Sequence, residues 1–326
     1  MINTIYFTCY KNKKIRSFLV LILITLPFVS CSKDDEWLVE EGVFTEDKMV
    51  VTQYANNGKA HQSAASYGDY AFFVTNRRSV LYCYNLKTRT LVCTKQFNPV
   101  NERTKTGSFL YHCNQMTFGP DFYDEKDPFP LLYISQRARE DRRCIVEVYR
   151  LLPQWNESLL EYESLEAELV QMIYFPVLTD NNSLGRCNCV IDSSKERMYT
   201  YSYNVANPYN SASPDGRLCR ISSFKIPDYR KQDVYLEDRD ILDSFSANYD
   251  ATNSQGGVIL NGKLFVAQGY ASFGIYLNIF DLEKMKQLSR IDLLASGITW
   301  EPEGCFVYND NLMISTGENI WEFHFE

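Results

Sequence analysis

Residues 256–268, Gly-Gly-Val-Ile-Leu-Asn-Gly-Lys-Leu-Phe-Val-Ala-Gln, contain two apolar runs joined by an Asn-Gly pair. Asn-Gly is a strong signal for a two-residue β-hairpin loop, because both residues adopt positive φ at low cost. Two more short runs with apolar residues follow at 276–280 and 288–293. This stretch therefore predicts a unit of four consecutive antiparallel strands.

The same order of strands and turns recurs along the chain, which is typical of repeat architectures. The strands predicted for the other units are 63–66, 70–75, 80–85 and 90–97; 112–118, 131–135, 144–151 and 170–175; 188–192, 198–203 and 218–226; and 303–308, 311–315 and 320–325. The polar segment 153–168 is interpreted as an insertion, and leucines at 159, 160, 165 and 169 predict a short helix there.

The last unit lacks a fourth strand, whereas the β-type run 49–54 precedes the first unit and has no local partner. If this run is the outer strand of the last unit, the ring of units closes. The sequence therefore predicts an all-β fold, a five-bladed β-propeller whose closing blade is shared between N- and C-terminal strands. A six-bladed ring stays open as an alternative, because residues 235–246 are long enough for two extra strands.

The N-terminus has the pattern of an export signal. Basic residues within 11–16 precede the apolar run 18–29, which is shorter than the roughly 20 residues needed to span a bilayer. Residues 28–31, Phe-Val-Ser-Cys, resemble a bacterial lipobox, in which the Cys is acylated before cleavage. We therefore predict a lipoprotein signal peptide at 1–30, lipidation of Cys31, a lipidated tether at 31–45 and the propeller domain at 46–326. An ordinary secretory signal with a chance Cys is the alternative.

Residues 32–36, Ser-Lys-Asp-Asp-Glu, resemble the acidic sorting signal that sends lipoproteins of Bacteroidota to the outer face of the outer membrane. The alternative is a charged, solvated tether that keeps the domain clear of the membrane. We expect a lipid-anchored outer-membrane protein that faces the cell exterior and contacts the membrane through its anchor only.

Composition and motifs exclude several classes of function. The formal net charge of −8 argues against nucleic-acid binding, which requires a basic surface. Cys83 and Cys93 lie within predicted strands and are interpreted, like most other cysteines, as packing residues. The sequence has no Cys-x-x-Cys pair, phosphate loop, dinucleotide fingerprint or Gly-x-Ser-x-Gly elbow. No metal site and no cofactor are therefore expected.

Three segments carry a resemblance to a known group of proteins. They are residues 112–119, His-Cys-Asn-Gln-Met-Thr-Phe-Gly; 130–135, Pro-Leu-Leu-Tyr-Ile-Ser; and 301–308, Glu-Pro-Glu-Gly-Cys-Phe-Val-Tyr. They resemble uncharacterised β-propeller surface lipoproteins of Bacteroides-type bacteria. More distantly, they are similar to propellers of helveticin-J-like bacteriocins and phage receptor-binding proteins, which have comparable His-x-Asn and Glu-Gly strand openings. The resemblance implies the fold and an envelope location, and it transfers no activity.

The start of each innermost strand is the predicted functional site, because these positions meet at one mouth of a propeller axis. The candidate ligand-binding residues there are His61, Gln62, His112, Asn114, Arg186, Asn188, Gln255, Trp300, Glu301 and Glu303. Convergent donors and acceptors in a concavity fix polar ligands. The alternative is that these groups hydrogen-bond one another or channel water.

Aromatic residues near strand ends form a second candidate surface, because Tyr and Trp faces can stack on sugar rings. The alternative, which we favour for most of them, is packing in the core or at the rim. They are Tyr201, Tyr203, Tyr209, Tyr249, Tyr270, Phe273 and Trp300. We expect a protein that binds an extracellular ligand such as a glycan, and an envelope protein is a further candidate partner. The alternative is a polysaccharide-degrading hydrolase or lyase that uses His61, His112, Arg186 and Glu303, without an assigned catalytic residue. A purely structural interaction module is a third hypothesis.

Overall fold

The molecule is built almost entirely from β-strands. The computed structural model describes residues 44–45, 48–56, 61–75, 80–97, 113, 115–136, 143–176, 188–203, 218–250, 254–269, 274–317 and 319–325. In chain order the strands are β1 Met49–Asn56, β2 Ser63–Tyr67, β3 Tyr70–Val74, β4 Val80–Asn85, β5 Thr90–Gln96, β6 Gln115–Phe118, β7 Leu132–Gln136, β8 Ile145–Asn156, β9 Glu161–Tyr174, β10 Asn188–Asp192, β11 Arg197–Tyr203, β12 Leu218–Lys225, β13 Asp233–Tyr235, β14 Asp243–Asp250, β15 Ser254–Leu260, β16 Lys263–Gly269, β17 Ile275–Asp281, β18 Lys286–Asp292, β19 Pro302–Tyr308, β20 Asn311–Thr316 and β21 Asn319–Phe325.

The strands form five sheets, which are the blades of a propeller. From the innermost strand outwards, blade I is β2-β3-β4-β5, blade II is β6-β7-β8-β9-β13, blade III is β10-β11-β12-β14, blade IV is β15-β16-β17-β18, and blade V is β19-β20-β21-β1. The innermost strands contact one another in the cyclic order β2, β6, β10, β15, β19 and back to β2. The predicted five-bladed β-propeller is confirmed.

Blade V is completed by the N-terminal strand, as the sequence predicted. Strand β1 pairs antiparallel with β21, from Met49 opposite Phe325 to Asn56 opposite Asn319. The ring of Phe44 lies edge-on against Phe325, with ring centroids 5.1 Å apart. The two ends of the described propeller are therefore held together in one sheet.

Each interface between neighbouring blades contains its own hydrophobic cluster, so five clusters form the core. Side chains alternate between the two faces of a strand. Phe72 therefore packs toward blade II, whereas Phe73 packs toward blade V. The described cysteines are buried thiols within or beside these clusters, which agrees with the predicted packing role.

The backbones of the innermost strands approach one another closely at the axis. A Cβ atom added to Gly304 would lie 2.6 Å from the backbone nitrogen of Ala64, and one added to Gly256 would lie 2.6 Å from the Cα of Gly304. Real Cβ atoms do not make contacts this short, so glycine is required at both positions. Blades I, IV and V therefore leave no room for side chains between them at this level.

The predicted helix in residues 153–168 is wrong. Strands β8 and β9 continue as one long antiparallel hairpin, which ends with Asn156 opposite Glu161. Leu165 is buried between blades I and II, whereas Leu159 and Leu160 are 66% and 71% exposed in the turn. Polar and apolar residues alternate along β9, as expected for a strand with one covered face. This alternation, and not the helix-like spacing of the leucines, determines the structure here.

The segment 235–246, which left a six-bladed ring open, does not form another blade. Strand β13 pairs in parallel with β9 at the edge of blade II. After a 3-10 helix at Asp238–Asp240, strand β14 pairs with β12 as the fourth strand of blade III. The segment therefore joins two existing blades.

Within the described ranges, no helix is both long enough and apolar enough to cross a membrane. The predicted signal peptide at 1–30 and Cys31 lie outside the described residues.

Candidate functional site

The predicted site residues that the structure describes lie at the start of innermost strands or just before them. They are His61, Gln62, Asn188, Gln255, Trp300, Glu301 and Glu303. His112, Asn114 and Arg186 lie outside the described residues. Ligand binding at these positions stays a prediction.

Four of these side chains form a hydrogen-bonded group, which we call the axial cluster: Gln62, Gln255, Glu301 and Glu303. The amide nitrogen of Gln62 donates to Glu303 Oε2 at 2.7 Å. The amide nitrogen of Gln255 donates to Glu301 Oε1, and the carboxyls of Glu301 and Glu303 hydrogen-bond each other. The cluster thus joins blades I, IV and V, which are far apart in sequence.

The two carboxyls of the axial cluster hold a proton more firmly than isolated glutamates. Burial raises the pKa of Glu303 well above its ordinary value, and the negative charge of Glu301 raises it further. Burial also raises the pKa of Glu301, against the hydrogen bonds from Gln255 and Glu303. Because two adjacent carboxylates repel each other, the pair titrates as a unit that shares a proton.

Blade III fixes the backbone beneath the axial cluster. The amide nitrogen of Asn188 donates to the carbonyl oxygen of Gln255 at 3.1 Å. The hydroxyl of Tyr201 donates to the same oxygen at 2.7 Å. Tyr201 is fully buried, so the packing alternative, and not the exposed aromatic surface, holds for this residue. Its hydroxyl holds the backbone of Gln255, a member of the axial cluster.

His61 lies next to the axial cluster in sequence, but its ring packs into the protein. The imidazole stacks on Phe73, with ring centroids 4.1 Å apart and an angle of 21° between the planes. Burial lowers the pKa of His61 to about 3, so the ring is neutral near pH 7. His61 thus contributes to the packing between blades I and V.

Trp300 is the exposed aromatic residue of the predicted site. Its side chain is 67% exposed and directly precedes Glu301. The described part of the site thus combines two carboxyls, two amides and one exposed indole. The side chains of Tyr203 and Tyr249, and the whole of Tyr209, Tyr270 and Phe273, lie outside what the structure describes.

Gln115 is an axial residue that the sequence analysis missed. Its amide nitrogen donates to the carbonyl oxygen of Gly257 at 2.7 Å, and its amide oxygen accepts from the backbone nitrogen of Gly257 at 2.8 Å. The fully buried side chain on blade II therefore binds both backbone polar groups of one residue of blade IV. A signal was present, because Gln also occurs at Gln62 and Gln255 near the start of two other innermost strands.

A second concavity lies at the opposite ends of the innermost strands. It has a volume of about 250 Å³, and its lining includes Tyr67, Phe118, Ile191, Val258 and Val307. Gly257 also lines it, so the bridge from Gln115 lies between this cavity and the axial cluster. The two mouths of the axis are chemically different, because one presents amides and carboxyls and the other presents a mixture of aliphatic, aromatic and hydroxyl-bearing side chains.

Among the residues that the structure describes, no group of three or more His, Cys, Asp or Glu side chains is placed to hold a metal ion. The axial cluster offers two carboxyls, and its amide groups are already hydrogen-bonded to them.

No protein-family model and no curated protein matches the chain. Among solved structures it is similar to the glutaminyl cyclase of Myxococcus xanthus, at 9% identity and a TM-score of 0.47, over 85% of this chain and 94% of that one. A luciferin-regenerating enzyme gives 9% identity and a TM-score of 0.38 over 82% and 73% of the two chains. The β-propeller domain of Cps50 (Swd1) from Myceliophteria thermophila gives 6% identity and a TM-score of 0.41 over 83% and 99%. No activity is carried over from these likenesses.

Proposed function

We propose that this chain is a lipid-anchored outer-membrane protein facing the cell exterior, whose propeller binds an extracellular glycan at one mouth of its axis. The observation that carries the binding proposal is the axial cluster, whose Glu301 directly follows the exposed Trp300 in the chain. The export signal and the acidic residues after Cys31 support the location. An envelope protein is a further candidate partner for the same surface.

The chemistry of the axial cluster suits a sugar. Sugar hydroxyls both donate and accept hydrogen bonds, and the cluster presents amides together with a proton-sharing carboxyl pair, which do the same. An exposed indole adds an apolar face on which a sugar ring can stack. Gln255 and Glu303 lie on innermost strands, and Gln62 and Glu301 directly precede such strands, which favours a preformed site.

A glycan array with residues 32–326 would identify a ligand, and titration calorimetry of variants would then locate the site. Trp300→Ala should weaken binding by about 2 kcal/mol, roughly 30-fold in Kd, if the indole is a central contact. Trp155→Ala is the matched control, because Trp155 is 46% exposed on the β8–β9 hairpin of blade II. Equal affinities of Trp300→Ala and wild type would contradict the proposed site.

A polysaccharide-degrading enzyme is the second candidate, and the raised pKa of Glu303 is what favours it. A carboxyl whose pKa is raised keeps its proton to a higher pH and can act as a general acid. Glu303→Gln would then abolish turnover of a bound polysaccharide and spare its binding. Loss of binding in this variant, with no turnover by the wild type, would support the binding protein instead. His61, which this hypothesis also invoked, has its ring stacked on Phe73.

A further inference from the structure

Cys83 and Cys93 lie directly opposite each other on the neighbouring strands β4 and β5 of blade I. Opposed residues of an antiparallel pair have Cα atoms about 4.5 to 5.5 Å apart, which lies within the range that a disulfide spans. Other described cysteines on paired strands face different residues, such as Thr200 opposite Cys189 and Ile314 opposite Cys305. Both members of the pair are thiols in this structure.

The two thiols of the pair are not equivalent. The neighbouring Cys83 lowers the pKa of Cys93, against the opposing effect of burial. The neighbouring Cys93, together with burial, raises the pKa of Cys83. Deeper burial disfavours the thiolate of Cys83, so Cys93 is the thiol that ionises more readily. The thiolate is the form that attacks a disulfide.

Access to the pair is also one-sided. Cys93 is 7% exposed and lines a groove of about 530 Å³ between β5 and β9, whereas Cys83 is fully buried. Strand β5 is the outermost strand of blade I, and the ion pair between Lys95 and Glu166 connects it to β9 across the groove. A reagent that enters this groove meets the sulfur of Cys93 first.

We propose that Cys83 and Cys93 form a reversible cross-strand disulfide that fastens the outer strand of blade I. The oxidant is a disulfide, either glutathione disulfide or an oxidoreductase in its disulfide form. The Cys93 thiolate attacks one sulfur of it, which forms a mixed disulfide and releases one thiolate. The Cys83 thiol then loses its proton and attacks the Cys93 sulfur, which releases the second thiol. Two protein thiols are oxidised, and one disulfide is reduced to two thiols.

The oxidising surroundings of an exported protein would favour this disulfide, so its occurrence in the cell rests on the proposed location. The chemistry of the pair does not depend on that location, because purified protein can be oxidised directly. Failure of the disulfide to form in vitro is therefore distinguishable from failure of the chain to be exported.

The test is to treat reduced residues 32–326 with glutathione disulfide and to map the disulfides in a non-reducing digest by mass spectrometry. The expected result is a cross-linked peptide joining Cys83 to Cys93, and a melting temperature about 5 °C above that of the reduced protein. Both thiols remaining open to alkylation after unfolding would overturn the proposal. This readout uses the wild-type chain and does not depend on any variant folding.

Variants test the order of attack. In Cys83→Ser, a glutathione adduct should accumulate on Cys93, because the second attack is blocked. In Cys93→Ser, Cys83 should remain unmodified in the folded protein. Cys305→Ser is the matched control, since Cys305 is buried opposite an isoleucine, and it should keep the cross-linked peptide. An adduct on Cys83 in the Cys93→Ser variant would overturn the assigned order.

Discussion

Closure of the ring by strand β1 leads to a quantitative prediction about truncation. Deleting residues 44–55 removes nearly the whole strand, including Met49, which is 9% exposed, and the ring of Phe44 beside Phe325. It also removes the hydrogen bond from the Tyr54 hydroxyl to the carbonyl oxygen of Leu86 at 2.7 Å. Burial of one Met, the aromatic contacts and this hydrogen bond together stabilise the fold by about 5 kcal/mol.

A loss of about 5 kcal/mol is a large part of the roughly 5 to 15 kcal/mol that stabilises a typical protein. It should lower the melting temperature by about 8 °C in a chain of this size. The deletion also exposes the edge of β21, which favours aggregation on heating. Circular dichroism melts of the 44–55 deletion and of a matched deletion of residues 32–40 provide the assay. Equal melting temperatures of the two proteins would refute closure by β1.

Three further predictions concern the anchor, the carboxyl pair and the axis. Cys31→Ser should release the protein from the membrane fraction, because the acylated Cys is the predicted anchor; an undiminished membrane pool on fractionation would reject it. The pKa values of Glu301 and Glu303 are raised in the folded state, so the free energy of unfolding should fall as the pH rises from the ordinary pKa of a glutamate through the folded-state values. Glu303→Gln should flatten this pH dependence in thermal melts. An unchanged dependence of melting temperature on pH would count against the shared proton. Gly304→Ala should destabilise the protein by about 2 to 3 kcal/mol in urea unfolding, because the new methyl group meets the backbone nitrogen of Ala64. A urea midpoint equal to that of the wild type would show that the strands can separate.

The blade architecture could be predicted from the sequence because each strand leaves a local mark. Apolar alternation with turn residues such as Asn261-Gly262 defines hairpins without any knowledge of distant contacts. The pairing of 49–54 with the C-terminal blade could be inferred because that run had no local partner. The leucine spacing at 153–168 predicted a helix wrongly, because a strand covered on one face contains about as many apolar residues as an amphipathic helix.

The contacts at the axis could be predicted only in part. The start of an innermost strand is recognisable, so Gln62 and Glu303 were placed at the same mouth although they lie on different blades. The rotation of each side chain about the strand depends on packing between blades, which one sequence does not reveal. His61 therefore faces Phe73, and Gln115 binds Gly257 across the axis, although neither contact has a local signal.

The most direct test of the account is a crystal structure of residues 32–326 with the best ligand from the glycan array. The account predicts a sugar ring against the indole of Trp300, with hydrogen bonds to members of the axial cluster such as Gln255 and Glu301. A ligand bound instead in the cavity at the other end of the axis, or in the groove between β5 and β9, would contradict it.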